Sequence, residues 1–227
     1  MDILEIRDQK LSTLLSFFMV CTSCKIVDND IERIEVGYKC PTCGIAGNGA
    51  RSYFPMSVHN LIDLMQEFYH FKQQFDEDSE SAMTDTRNEA NHQLAVVILF
   101  CTLVEVLLQH FLERLMTKLE LPLKIQDRLL NDNMSTRQRV EKLFPALTGV
   151  QWNAAIKKLN EQVELNYIET LEFCKHAAEK RNIFLHRGIK YAIPKDMPET
   201  CLRQIWPVVN LFVSLHNEFI AKRSEAK

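Results

Sequence analysis

Four of the seven cysteines lie within 23 residues, as two Cys-x-x-Cys pairs, Cys21/Cys24 and Cys40/Cys43. Fifteen residues separate the pairs, the spacing of a structural zinc site. Each pair makes a tight turn that points both sulfurs at one ion, and the intervening hairpin carries the second pair across to complete a tetrahedron. The second pair, Lys39-Cys40-Pro41-Thr42-Cys43-Gly44, has a proline and a glycine suited to such a turn; the first, Cys21-Thr22-Ser23-Cys24-Lys25, lacks the glycine. Zinc is the favoured ion, ahead of iron or of disulfides. Four thiolates leave no open position for a substrate, so the ion is expected to hold the fold and take no part in chemistry. Cys101, Cys174 and Cys201 stand alone in helical patterns and read as small buried hydrophobes.

The cluster resembles the zinc ribbons and the related rubredoxin knuckle. Residues 1–50 carry five basic against seven acidic side chains, which does not favour a phosphate-binding face; nucleic acid and a protein partner or antagonist both stay open as what the ribbon would dock. Composition breaks near residue 50: Gly37, Gly44, Gly47 and Gly49 precede it, and only Gly149 and Gly188 follow. The expected organisation is a β-rich zinc ribbon over 1–54 and a helical domain over 55–227. In the ribbon, Ile31 to Val36 reads as β-structure, Ser52 to Phe54 as a closing strand, and Leu14 to Val20 as either a strand or a helix end.

Beyond Pro55 the chain reads as mainly α, a helical bundle. Apolar residues recur at helical spacing over Val58–Phe75, and Leu94–Leu119 is apolar on nearly every side of its first half. Between them, Asp76 to Glu89 holds six acids and one arginine and reads as a solvated linker. Further helices are expected at Leu121–Leu130, Thr136–Leu143, Trp152–Leu159, Val163–His186 and Glu199–Ile220. Gly188 belongs at a C-cap, and Pro207 should kink or restart the last helix. Trp152 and Trp206 read as core. The apolar run Leu94–Leu108, interrupted by Thr102 and Glu105, is shorter than a membrane span. With no basic-then-apolar leader at the amino terminus, a cytoplasmic, reducing compartment is expected, with no membrane partner. A net charge of −3 excludes a generally basic nucleic-acid coat, so any polyanion site must be local. No Gly-rich phosphate loop, HExxH or GxSxG occurs. His110 and His216 stand alone and read as structural.

The most informative segment outside the cysteines is Glu179-Lys180-Arg181-Asn182-Ile183-Phe184-Leu185-His186-Arg187-Gly188. Tyr167, Leu171, Cys174, Ala178 and Leu185 form an apolar stripe, and Arg181 interrupts it. An arginine there must be paired, must snorkel, or must face another chain. Glu105, amid Val104, Val106 and Leu107, is the matching oddity, and an Arg181–Glu105 core ion pair is one reading. Lys175, Lys180, Arg181, Arg187 and Lys190 against Glu179 alone make a local patch of +4.

Arg181-Asn182-x-x-x-His186, closing a long helix in an all-helical region, resembles the Arg-x4-His motif of the HEPN superfamily. The resemblance implies a helical bundle that pairs as a homodimer with its two motifs face to face. It implies metal-independent cleavage of single-stranded RNA, and a setting in phage defence or a toxin–antitoxin pair. His186 would move protons at the ribose 2′-hydroxyl and the leaving oxygen, Arg181 would stabilise the phosphorane, and Asn182 would position phosphate or histidine. Glu105 and Glu179 would support them, with Lys180, Arg187 and Lys190 on the RNA backbone. Other members of the superfamily serve as non-catalytic binding modules, which is the alternative reading.

Overall fold

In the computed structural model, residues 11–29, 38–46, 50–78, 86–189 and 193–221 are described. A short helix α1 (Leu11–Leu15) leads into strand β1 (Met19–Cys21), followed by β2 (Val27–Asp28) and β3 (Ala50–Ser52). The sheet has the order β2-β1-β3 and is antiparallel throughout. Met19 faces Asp28 on one side and Ser52 on the other, and Cys21 faces Ala50. Helices follow: α2 (Met56–Asp78), α3 (Thr86–Lys118), α4 (Leu123–Asp132) and α5 (Thr136–Gln138), which continues through a π-helical turn (Arg139–Leu143) into α6 (Phe144–Thr148). Then come α7 (Trp152–Asn160), α8 (Tyr167–Arg187) and α9 (Met197–Phe219). The described chain is mainly helical with one small antiparallel sheet near its amino terminus.

Several elements differ from the sequence reading. Leu14–Val20 is both things it allowed, the end of α1 and the start of β1. The closing strand lies two residues earlier than Ser52–Phe54: Tyr53 keeps one bond on the β1 side, its N–H donating to the Phe18 carbonyl at 2.9 Å, while Tyr53 and Phe54 bury their rings, 1% and 5% exposed. Asp76–Asp78 and Thr86–Glu89 are helical, so the acidic linker is narrower than composition suggested. Ile31–Val36 lies outside the described residues. Pro207 does not restart α9, which is continuous around it; burial of Cys201, Leu202, Ile205 and Val208 outweighs the hydrogen bond that a helical proline forfeits. The stretch Leu94–Lys118 is long and apolar enough to cross a membrane by length and composition, contrary to the shorter run counted above. Its buried residues recur at three- and four-residue steps, as in a core helix.

The chain forms two compact units. The first comprises residues 1–14, 55–104 and 169–208. Its core holds Val58, Ile62 and Met65 of α2, Val97, Phe100 and Leu103 of α3, Ala177 of α8 and Leu202 of α9. Phe100 meets Phe173 edge-on at 5.6 Å, and the Gln66 side-chain carbonyl accepts from the Leu11 N–H at 2.9 Å. Cys101 and Cys201 are buried as expected, and Cys174 is half-buried. The second unit comprises 15–54, 105–168 and 209–227. Phe144 is its hub, 5.0 Å from the Trp152 ring, 5.3 Å from Phe219 and 6.1 Å from Phe111. Both tryptophans, expected in the core, are half-buried.

Candidate metal centre and the end of α8

Two six-residue segments of the second unit, Cys21–Ile26 and Cys40–Ile45, have the same backbone fold. In the first, the Cys21 N–H donates to the Ile26 carbonyl at 2.9 Å and the Lys25 N–H to the Cys21 carbonyl at 3.0 Å. In the second, Cys40 donates to Ile45 at 2.8 Å and Gly44 to Cys40 at 3.0 Å. Such a turn needs a left-handed residue after the second cysteine. Gly44 supplies it at φ +73°, and Lys25 at φ +65°. Glycine adopts this conformation freely, whereas lysine meets a clash between its Cβ and the backbone. The first pair lacks the glycine and forms the knuckle nonetheless, because the hydrogen bonds made by the Lys25 N–H and carbonyl outweigh that clash. The Lys25 ammonium also donates to the Thr22 carbonyl.

The knuckles bring all four sulfurs within 4.8 Å of one another. Cys21 Sγ lies 3.6 Å from Cys43 Sγ, and Cys24 Sγ 3.5 Å from Cys40 Sγ. A tetrahedral zinc with Zn–S bonds of about 2.3 Å has sulfur–sulfur edges of about 3.8 Å, so the donor set fits a metal ion in number, kind and spacing. Cys21, Cys24 and Cys40 are buried and pack with Tyr38, while Cys43 is exposed. Burial pushes Cys40 up, but N–H groups of Cys43 and Thr42 aimed at its sulfur bring it down to about 6. Cys24 is pushed up to about 12 by burial, against a single backbone N–H from Ile26. Cys40 receives two backbone N–H groups where Cys24 receives one, and the hydrogen bonds among the sulfurs raise Cys24 while lowering Cys40; a cation among the four would stabilise every thiolate.

The first knuckle is fastened from behind by α9. His216 Nε2 lies 2.8 Å from the Lys25 carbonyl oxygen. Asn217 pairs with Val27 on both sides, its Oδ1 accepting from the N–H at 2.7 Å and its Nδ2 donating to the carbonyl at 2.9 Å. The amide thus completes the outer edge of β2 as another strand would. Tyr53, just after β3, is held by α3: Arg114 Nη2 donates to its carbonyl at 3.0 Å while the guanidinium carbon lies 4.6 Å over its ring. Arg114 Nε donates to His110 Nε2 at 2.8 Å. That nitrogen must therefore be unprotonated, and its 3.4 Å approach to the Tyr53 carbonyl is a contact without a proton. Burial, then the charge of Arg114, lowers His110 to about 4; burial likewise lowers His216 to about 4. The sequence reading took both histidines as structural but missed Arg114 and Asn217 altogether. No local signal marked the α9 pair, since His216 and Asn217 share that helix end with Ser214 and Glu218.

In the first unit, Arg181, Asn182 and His186 lie on one unbroken helix that Gly188 ends at φ +64°, its N–H donating to the Phe184 carbonyl at 2.8 Å. Arg181 is half-buried and donates through Nε to Asn182 Oδ1 at 3.3 Å. Asn182, His186, Glu179 and Arg187 are exposed, Lys180 and Glu105 half-buried, and Lys190 lies outside the described residues. The apolar stripe drawn through Leu185 does not hold, for Leu185 is 57% exposed; the buried line of α8 runs through Tyr167, Thr170 and Ala177. No family model, no curated protein and no solved structure matches this chain.

Proposed function

We propose that the four cysteines hold a structural zinc ion and that the exposed end of α8 cleaves single-stranded RNA across a pair of chains. The zinc reading is carried by the sulfur geometry, four Sγ atoms within 4.8 Å with cross-knuckle pairs at 3.5 and 3.6 Å. Four thiolates saturate zinc, so it braces the knuckles and leaves the chemistry to side chains elsewhere. Metal analysis of purified chain tests this, with one zinc per chain expected and a chain free of zinc, iron and other metals as the contrary result.

The RNA reading is supported by the exposure of His186 and Asn182 at the end of a helix whose Arg181 is steered by Asn182. Five residues along a helix is about 7.5 Å and 140° of rotation, so one chain's arginine and histidine stand apart. Two helix ends facing each other would bring both kinds of group to one phosphate. A neutral His186 would accept the 2′-hydroxyl proton as that oxygen attacks phosphorus, and the imidazolium would return it to the 5′-oxygen that leaves. Arg181 would hold the extra negative charge of the phosphorane with two N–H donors, and Asn182 would keep the guanidinium aimed. The half-burial of Arg181 favours the second reading, a non-catalytic binding module. Incubating zinc-checked, folded chain with mixed-sequence RNA in EDTA decides between them. Cleavage to 2′,3′-cyclic phosphate ends, lost at least 100-fold in both His186→Ala and Arg181→Ala, is the expected result. Intact RNA, or cleavage that survives both substitutions, would move the assignment to the binding module.

A further inference from the structure

The two knuckles are alike in backbone but unlike in access and attachment. Cys21, Cys24 and Cys40 are 0%, 7% and 2% exposed, whereas Cys43 is open to solvent. The first knuckle is bonded to α9 through Lys25 and Val27. Among the described residues, the backbone hydrogen bonds of residues 38–46 close on that segment itself. Among the described residues, Tyr38 and Cys40 pack with Cys21 and Cys24, and the sulfur cluster joins the two knuckles.

We propose that Cys43 is a site of oxidative modification by peroxides, with Cys21 as its partner, and that their disulfide expels the metal while keeping the knuckles joined. This rests on the zinc reading above. The Cys43 thiolate attacks one peroxide oxygen, the O–O bond breaks, and hydroxide leaves, giving a sulfenic acid. The Cys21 thiolate, 3.6 Å away, attacks that sulfur, the S–O bond breaks, and a second hydroxide leaves. Two thiolates have lost two electrons and one hydrogen peroxide has gained them. Cys24 and Cys40, 3.5 Å apart, are left as two ligands where four stood, too few to retain zinc. All four sulfurs are close enough to compete; cross-knuckle closure is favoured because Cys21, 3.6 Å from Cys43, lies on the knuckle that α9 holds, so the disulfide replaces the metal as a tether of residues 38–46. Reduction by a dithiol returns both thiolates, so the change is reversible.

The test uses the full chain with its zinc content measured beforehand. It is treated with one equivalent of hydrogen peroxide, quenched with N-ethylmaleimide, digested and mapped by mass spectrometry. A chromophoric chelator follows the metal. The expected result is one zinc released per Cys21–Cys43 disulfide, ahead of any change at Cys101, Cys174 or Cys201, with zinc re-bound after dithiothreitol. A Cys40–Cys43 disulfide as first product, or zinc retained through ten equivalents of peroxide, would overturn the proposal and leave the zinc reading standing. A chain that carries no zinc at the outset would overturn both.

Discussion

His216 and Lys25, 191 positions apart in sequence, are joined by a 2.8 Å hydrogen bond from a buried imidazole to the backbone of the first knuckle. A carbonyl can only accept, so Nε2 carries the proton and the ring is the Nε2–H tautomer. The bond lands on the one non-glycine residue that holds the knuckle's left-handed position. His216 therefore secures the strained part of the first knuckle, one residue beyond Cys24, as outer groups hold metal ligands in place where a metal is bound.

Replacing His216 should accordingly be felt at the metal. In His216→Phe the ring volume is kept and the donor is lost, leaving the Lys25 carbonyl without its partner at a cost of about 1–3 kcal/mol. Zinc affinity, measured by competition with a chelator of known strength, is expected to fall about ten-fold. An unchanged affinity would mean that the knuckle holds its shape without α9.

The two left-handed positions should respond oppositely to exchange. Lys25→Gly removes a Cβ from a φ of +65° and is expected to raise stability by about 0.5–1 kcal/mol. Gly44→Ala introduces one at φ +73°, where no neighbouring atom lies within 4 Å, so the penalty of about 1 kcal/mol is purely one of backbone conformation. Thermal unfolding of the zinc-loaded chains measures both, and shifts of the same sign would contradict the equivalence of the knuckles.

Arg114 makes a forked contact that lysine cannot reproduce. Its Nη2 bonds the Tyr53 carbonyl, its Nε bonds His110, and its plane covers the Tyr53 ring. Arg114→Lys keeps the charge but loses the fork, and should destabilise the chain by about 1.5–3 kcal/mol by chemical denaturation. A loss below 0.5 kcal/mol would show that charge alone suffices.

Acid should act through the two buried histidines. Each has a folded pKa of about 4 against an ordinary 6.5, so the folded chain binds fewer protons than the unfolded one between those values. Their contribution is complete above about pH 6.5, declines as the pH falls toward 4, and is exhausted below it. For His216, which is 1% exposed, it is on the order of 3 kcal/mol. NMR titration of the ring carbon-bound protons separates this from acid release of the metal. Midpoints near 4 are expected for both rings, and a midpoint near 6.5 for His216 would deny it a buried neutral state.

The sequence alone picked out the four cysteines that the fold gathers into a candidate metal site, and the helical character of the rest. Two Cys-x-x-Cys pairs have few geometries open to them, and three- and four-residue apolar spacing has one regular solution, so both are local statements that short segments can make. The cap at Gly188 was legible for the same reason. Tertiary structure decided what those segments are fastened to. Nothing local distinguishes His216 or Asn217 from other polar residues on an apolar helix; they gain their role when α9 passes behind a knuckle almost two hundred residues earlier. Nothing local places Lys25 at positive φ either, since its own preference is against it, and only the surrounding hydrogen bonds outweigh that preference. The exposure of Leu185 and the half-burial of both tryptophans belong to the same class. Burial depends on which surfaces meet, and a chain's pattern fixes its faces without naming their partners.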